Sequence, residues 1–283
     1  MNDQDALNIF LNGSSVKDKL AKTYAEVRDM IQARAVSIGL KNNNFTGEVV
    51  KGGTVSVKRL RTAVSQPYGT ARAAGEGDAV INDGVDVKID TDREIVEELE
   101  RKDILKYGVE NLIARRKENH SLAVVRELDN AFFVEAQTAA TTVDVSAGAT
   151  LAAKIEILVQ RLETLVNDHV DGIDREDMVL TLHPNWFGQL ETYFDTLPNP
   201  DNGGMNARKG FHRVEVLSSP RQDVDAIVMV RGSVAQPVTM DQYDAARIPL
   251  SNAFAVELFY SFGTKAVMPD LIFKAGLDGN ISA

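Results

Sequence analysis

LKYGVENLIARRKENHSLAVVRELDNAFFVEAQT, residues 105 to 138, sets the frame for everything on either side of it. Leu105, Val109, Leu112, Ile113, Ala123, Val124, Leu128, Ala131 and Phe132 recur at spacings of three and four, the period that brings side chains to one face of an α-helix. The spacing predicts a helix from about Leu105 to about Thr138. At 1.5 Å per residue such a helix is a rod of roughly 50 Å, too long to be buried lengthwise in a compact chain of 283 residues. It is expected to cross the molecule as a beam. Its middle, RRKENH (Arg115 to His120), replaces apolar side chains with charges, which predicts a rod anchored at both ends and lightly covered between. Gly108 costs a helix about 1 kcal/mol relative to Ala, so the regular part can begin there, with Asp103 capping a short preceding turn.

On the N-terminal side, Ser15-Val16-Lys17-Asp18 resembles a capping box, and Val16, Leu20, Val27, Ile31 and Ala35 come after it at helical spacing until Gly39. The polar stretch KNNNFTGEVVKGG (Lys41 to Gly53) detaches this amphipathic helix from the next segment. Its apolar face is expected on a neighbouring subunit or on the far side of its own domain. Two segments of strand character come next, Thr54 to Val64 and Gly84 to Val96. In the second, Val85, Val87, Ile89 and Ile95 share one parity and Asp86, Lys88 and Asp90 the other, the alternation of a half-covered strand. With the Gly- and Ala-rich stretch between them they predict a long two-stranded hairpin. An isolated ribbon of this kind is marginal in water, so something outside it must hold it.

After the beam, a linker of small residues (Thr138 to Thr150) leads to a helix with Leu151, Ile155, Leu158, Val159, Leu162 and Val166 on one side. Then come a strand at Met178 to Leu182, a helix at Trp186 to Phe194, a loop (LPNPDNGGMNARKG), and strands at Val214 to Leu217 and Ala226 to Gly232. This alternation predicts an α/β domain of about a hundred residues. The tail Ala253 to Ala275 reads as a pair of strands turning at Phe262-Gly263-Thr264 and returning beside the beam.

The totals narrow the function. Thirty-one basic against 41 acidic side chains give a net charge of −10, and there is no cysteine. Disulfides, thiolate nucleophiles and Cys-ligated zinc are therefore excluded, and reinforcement must come from packing or association. The first 75 residues carry 11 basic and 6 acidic side chains, leaving 20 against 35 for the rest. An acidic body argues against sequence-specific nucleic-acid binding, while the basic leading region permits loose contact with phosphates. Apolar runs such as Ala226 to Val230 are far too short to cross a bilayer, and the start MNDQDALN lacks the features of a signal peptide. Synthesis and use in a cytoplasm, or in something assembled there, are expected.

Chemistry is sparse. No GxxxxGK[ST], GxSxG or HExxH occurs, and Gly75-Glu76-Gly77 is only half of a dinucleotide fingerprint, without a helix after it. His120, His169, His183 and His212 show no pair at i, i+3 or i+4, and His183 reads as a strand-end residue bonded to backbone. Asp168, Asp171, Asp174 and Asp177 recur every three residues, a density of oxygens that could suit calcium, but the spacing fits no EF-hand loop and a solvated turn explains it. Glu94, Glu97, Glu98 and Glu100 read as a charged surface, because nothing apolar surrounds them to separate their pKa values. No catalytic residue, cofactor-binding residue or metal ligand is expected, and the chain is not read as an enzyme. A soluble α/β enzyme with an unusual hairpin is the reading from another class, and no site supports it.

The order of parts, with the stretches KIDTDREIVEELERKDILKYGV, RELDNAFF, LHPNWFGQL, AIVMVRGS and YSFGTKAVMPDLIF, resembles the Hong Kong 97-like major capsid proteins of tailed bacteriophages from about Ser15 to about Ala275. The resemblance implies an α+β capsid fold: an N-terminal arm (1–45), an E-loop hairpin (46–92), a P-domain with a spine helix (93–146 and 254–283) and an α/β A-domain (147–253). It also implies a shell of hexamers and pentamers around double-stranded DNA, assembled in a bacterial cytoplasm and residing in the virion. Implied partners are further copies of the chain, a separate scaffolding protein, a portal and the packaged DNA, with room for a decoration protein and no membrane. Since the chain is close to the minimum length for the fold, no built-in N-terminal scaffolding domain is expected. Some members cross-link an E-loop lysine to a neighbour's asparagine; Lys58 lies in the first hairpin strand, but neither partner nor catalytic carboxylate can be matched, so no covalent cross-link is expected. Hairpin and arm are expected to gain stability by lying across adjacent subunits. The alternative is an encapsulin-like shell enclosing a cargo enzyme.

Overall fold

A computed structural model of the chain describes residues 25–61, 67–69, 82–99, 106, 109–195, 214–240, 244–247 and 254–278. The expected beam is α3 (Val109–Ala139), preceded by α1 (residues 25–34) and α2 (Val36–Leu40). From residue 115 onward α3 buries His120, Ser121, Val124, Val125, Leu128, Asp129, Phe132, Phe133 and Ala136. The pairs of adjacent residues at each turn show that the stripe is wide, because the helix is wedged between two layers. Ala123, assigned to the apolar face from its spacing, is exposed, and Val125 and Phe133 take that share of the contact.

The first layer is a four-stranded sheet of β3 (Thr91–Leu99), β9 (Val238–Met240), β10 (Asp244–Arg247) and β11 (Phe254–Phe262), all antiparallel around β11. Leu258, Tyr260 and Phe262 of β11 meet Val124, Val125 and Leu128 of α3, and Val27, Ile31 and Ala35 of the leading helices complete the cluster. The amphipathic helix therefore closes on its own body, the second of the two seats expected for it. The reason is geometric: its stripe covers apolar surface that α3 and β11 would otherwise expose to water. Ala35 interrupts what was expected to be one helix, and Val16 and Leu20 lie outside the described residues. Asp129 of α3 fixes the break, accepting hydrogen bonds from the backbone N–H groups of Ser37 (3.0 Å) and Val36 (3.4 Å) at the start of α2.

The second layer is a five-stranded sheet in the order β4 (Thr141–Thr142), β13 (Ile272–Ala275), β7 (Ala226–Val230), β5 (Met178–Leu182), β6 (Glu215–Ser218). Every residue of β5 is buried, as in a strand covered on both faces. One face, with Val179, Ile227, Met229 and Ile272, packs on Phe132 and Phe133 of α3. The other, with Met178, Leu180, Leu182 and Val228, packs on α4 (Leu151–Glu163) through Ile155, Leu158, Val159 and Leu162. Thr150 caps α4 by accepting the N–H of Ala153 at 3.2 Å. Val166, expected on the apolar side of this helix, lies beyond its end and is 69% exposed. Helix α5 (Pro184–Asp195) comes after β5 and reaches the core through Leu190. The loop predicted between α5 and β6 lies outside the described residues.

Two strand pairings differ from expectation. The ribbon is β1 (Thr54–Leu60) against β2 (Asn82–Lys88), seven antiparallel pairs from Thr54↔Lys88 to Leu60↔Asn82. The segment read as one strand to Val96 bends at Ile89-Asp90, and β3 leaves to pair with β11 over nine residues. The tail is likewise not a hairpin. β11 ends at Phe262, Lys265–Ala266 (β12) pairs with Val234–Ala235 (β8), and β13 enters the five-stranded sheet. Gly263 explains both: a Cβ there would lie 1.9 Å from the carbonyl oxygen of Lys88, so the turn after β11 presses directly on the bend after β2.

Candidate assembly surface

The parts that an assembling subunit would present are the ribbon, the leading helices and the charged middle of α3. The root of the ribbon is apolar: Val55, Val57, Val87 and Ile89 form a buried cluster with Ala235 and Val267, with Phe45 and Val49 against it. The alternation read from the sequence puts Val87 and Ile89 inward as expected. What it could not show is that the covering surface belongs to the same chain. The root of the hairpin is seated on its own body; its tip lies outside the described residues.

Further out the ribbon is held by charge. Arg59 donates to both oxygens of Asp270, at 2.6 and 2.7 Å, and Asn167 Nδ2 donates to Asp270 Oδ2 at 2.6 Å. Burial alone would push the Asp270 carboxyl up, but the Arg59 and Asn167 hydrogen bonds outweigh it and hold the carboxyl below the usual range. Lys58, the candidate cross-linking lysine, is exposed on β1 and stands opposite Gly84.

The middle of α3 is lightly covered, as its composition implied: Arg115, Arg116, Glu118 and Asn119 are exposed, Lys117 is half-buried and His120 is buried. Lys117 is paired with Glu26 and Glu118 with Arg34 (3.1 Å), both on α1. Arg116 Nε and His120 Nε2 lie 3.1 and 3.0 Å from Glu97 Oε2 on β3. Glu97, read as part of a charged surface, is thus turned toward the helix and half-buried, and His120 is buried beside it. Glu94 and Glu98 are exposed, and Glu100 lies outside the described residues. Two turns further along, Glu127 accepts from both Arg93 of β3 and the Tyr260 hydroxyl of β11. Burial and that bond push the Tyr260 hydroxyl well above its ordinary pKa. RELDNAFF is therefore a junction: Glu127 ties the sheet, Asp129 the arm, and Phe132 and Phe133, edge to face at 5.4 Å, the second core. Sequence reading found its apolar members; the partners of Glu127 and Asp129 are 34 to 133 residues away and left no local signal.

The four spaced aspartates are not brought together. Asp168 faces Arg61 at 3.6 Å, while Asp171, Asp174 and Asp177 line an open cleft of about 540 Å³ with Glu163, Val170 and Arg231. Among the described residues no group of three or more His, Asp or Glu side chains is arranged to hold a metal ion. Arg175, within the acidic run, instead clamps Glu156 and Glu163, both at 2.7 Å from Nη2. His183 Nδ1 accepts the N–H of Asn185 at 3.5 Å at the end of β5, and His169 Nε2 lies 3.6 Å from Asp83. His212 and Gly75-Glu76-Gly77 lie outside the described residues. Among the described residues no helix is long and apolar enough to cross a membrane.

No model of a known protein family matches the chain, and no curated protein does. Solved structures do. The capsid of Ralstonia phage GP4 aligns with a TM-score of 0.57 at 14% identity, over 78% of this chain and 82% of that one. A structure from Mycobacterium phage Che8 aligns with a TM-score of 0.57 at 17% identity, over 81% and 86%. A virus-like particle from Pyrococcus furiosus aligns with a TM-score of 0.58 at 11% identity, over 89% and 97%. At these identities the likeness establishes the fold: this chain has the mixed helix-and-sheet Hong Kong 97-like capsid fold.

Proposed function

We propose that this chain is the major capsid protein of a tailed bacteriophage, a non-enzymatic subunit that closes into hexamers and pentamers of an icosahedral shell around double-stranded DNA. The observation that carries the reading is the likeness to the capsid of Ralstonia phage GP4 over about four-fifths of both chains. The architecture supports it, because a two-stranded ribbon rooted on the body and a long helix bearing two cores are parts expected of a shell subunit. In this reading residues 1–45 are the arm, 46–92 the hairpin, 93–146 with 254–283 the helix-bearing unit and 147–253 the α/β unit, with β13 crossing into the sheet of the last. The partners are other copies, a separate scaffolding protein, a portal and the genome, held without sequence specificity by a chain of net charge −10; a decoration protein has room to bind. Assembly takes place in the bacterial cytoplasm.

A second reading, an encapsulin-like compartment around a cargo enzyme, draws on the likeness to the Pyrococcus furiosus particle, which covers 97% of that chain. Electron microscopy of the full-length protein, expressed alone and with its neighbouring genes, tests both. Closed particles carrying DNA, with a portal at one vertex, are expected. Particles filled with a peroxidase or ferritin-like protein would establish the second reading, and a soluble monomer under all conditions would overturn both.

A further inference from the structure

The ribbon β1–β2 is attached to the body in two ways along its length. Its inner half is sealed by the apolar cluster of Val55, Val57, Val87 and Ile89. From Lys58 and Gly84 outward, the attachments among the described side chains are polar. The path runs from Arg59 to Asp270, in the turn after β12, and from Asp270 to Asn167, in the loop after α4. Asn167 shapes that loop: its Oδ1 accepts the backbone N–H groups of His169 (2.8 Å) and Val170 (3.0 Å). The loop then returns to the ribbon, where His169 and Arg61 both approach Asp83. The contacts close a ring from β1 through two loops of the body and back to β2.

Solvent access ranks the links of this ring. The Arg59 and Asp270 side chains are 13% and 33% exposed, and their bond is bidentate, the geometry in which charge-assisted hydrogen bonds are strongest. Arg61 and Asp168 are 41% and 78% exposed, and ion pairs so open to water contribute little.

We propose that Arg59, Asp270 and Asn167 form a positioning latch that sets the direction in which the hairpin leaves the body. While the latch is closed, the outer ribbon is held against the loop at 167–170. When it is broken, the inner half stays rooted by its apolar cluster and the outer half swings. For a shell subunit, that direction decides whether every copy offers its hairpin at the same angle; this consequence rests on the capsid reading, whereas the latch itself does not.

Hydrogen–deuterium exchange on the full-length chain tests the latch, comparing the parent with Asp270→Asn, Arg59→Lys and Asp168→Ala. Arg59→Lys keeps the charge and loses the fork, so it carries the test if Asp270→Asn does not fold. In the two latch variants, amides of residues 58–61 are expected to exchange about tenfold faster while those of 54–57 are unchanged, and Asp168→Ala should match the parent. Unchanged exchange at 58–61 in the latch variants, or equal acceleration across 54–61, would overturn the proposal. Electron microscopy of the same proteins reads the consequence: particles of mixed diameter are expected from the latch variants, and uniform particles despite a fast-exchanging ribbon would overturn it. If the parent forms no particle at all, the capsid reading falls, and the exchange result still decides the latch.

Discussion

Among the described glycines, Gly263 has the least room for a side chain. Its missing side chain lets the turn after β11 touch the Lys88–Ile89 backbone, and a methyl group would sit 1.9 Å from a carbonyl oxygen that no rotamer can move. Gly263→Ala is expected to destabilise the chain by about 3 kcal/mol, the upper range for forcing atoms into a packed site, read as a lower urea midpoint; an unchanged midpoint would contradict the contact. Asp270 gives a prediction in pH. Its carboxyl is held below its ordinary pKa, so the stability it supplies is complete above the unfolded value of about 3.9 and drains away as pH falls through the folded value. Asp270→Asn should therefore be less stable than the parent at pH 7, with the gap narrowing below about pH 4; a gap constant down to acid pH would show that the Arg59 bond contributes no linkage.

At the scale of elements, α3 is the member on which two cores depend. Phe132→Ala removes a fully buried ring from the second layer and is expected to cost about 3–5 kcal/mol, while Ala123→Ser, on the exposed side of the same helix, should stay within about 0.5 kcal/mol; thermal unfolding of the two variants checks the difference. Elements whose information is local can be read from the sequence. The beam, α4, β5 and β7 are legible because most of their described apolar positions are buried where the spacing puts them, as in the fully buried run Met178–Leu182; Leu105 and the side chains of Val109, Leu112 and Ile113 lie outside the described residues. What stays hidden depends on contacts distant in sequence. The bend that separates β2 from β3 needs Gly263, some 170 residues later, and the charges of RRKENH find their partners in Glu26, Arg34 and Glu97. A stripe says that a face is covered without naming the cover, which is why sequence alone leaves the seat of the arm open between a neighbour and its own domain. Carboxylate spacing in the run from Asp168 to Asp177 is visible, but its dispersal around a cleft is not.

At the scale of the whole molecule, apolar clusters and scattered ion pairs join the layers, and there is no cysteine to reinforce them. With Lys58 exposed and no partner chemistry matched to it, assembled particles boiled in detergent are expected to give a single band at monomer mass on a denaturing gel. A ladder of multimers would mean that copies become covalently joined.

The leading helices also impose an order in time. Val27, Ile31 and Ala35 find their seat on Leu258, Tyr260 and Phe262, and Asn42 hydrogen-bonds to Val234 and Gly232. At about 5–20 residues per second, the start of the chain waits on the order of ten to fifty seconds for the ribosome to deliver its counterpart. A copy cut short by a premature stop never acquires that seat. Its leading apolar face stays open to water, and such a copy is expected to be cleaved by proteases faster than the full chain.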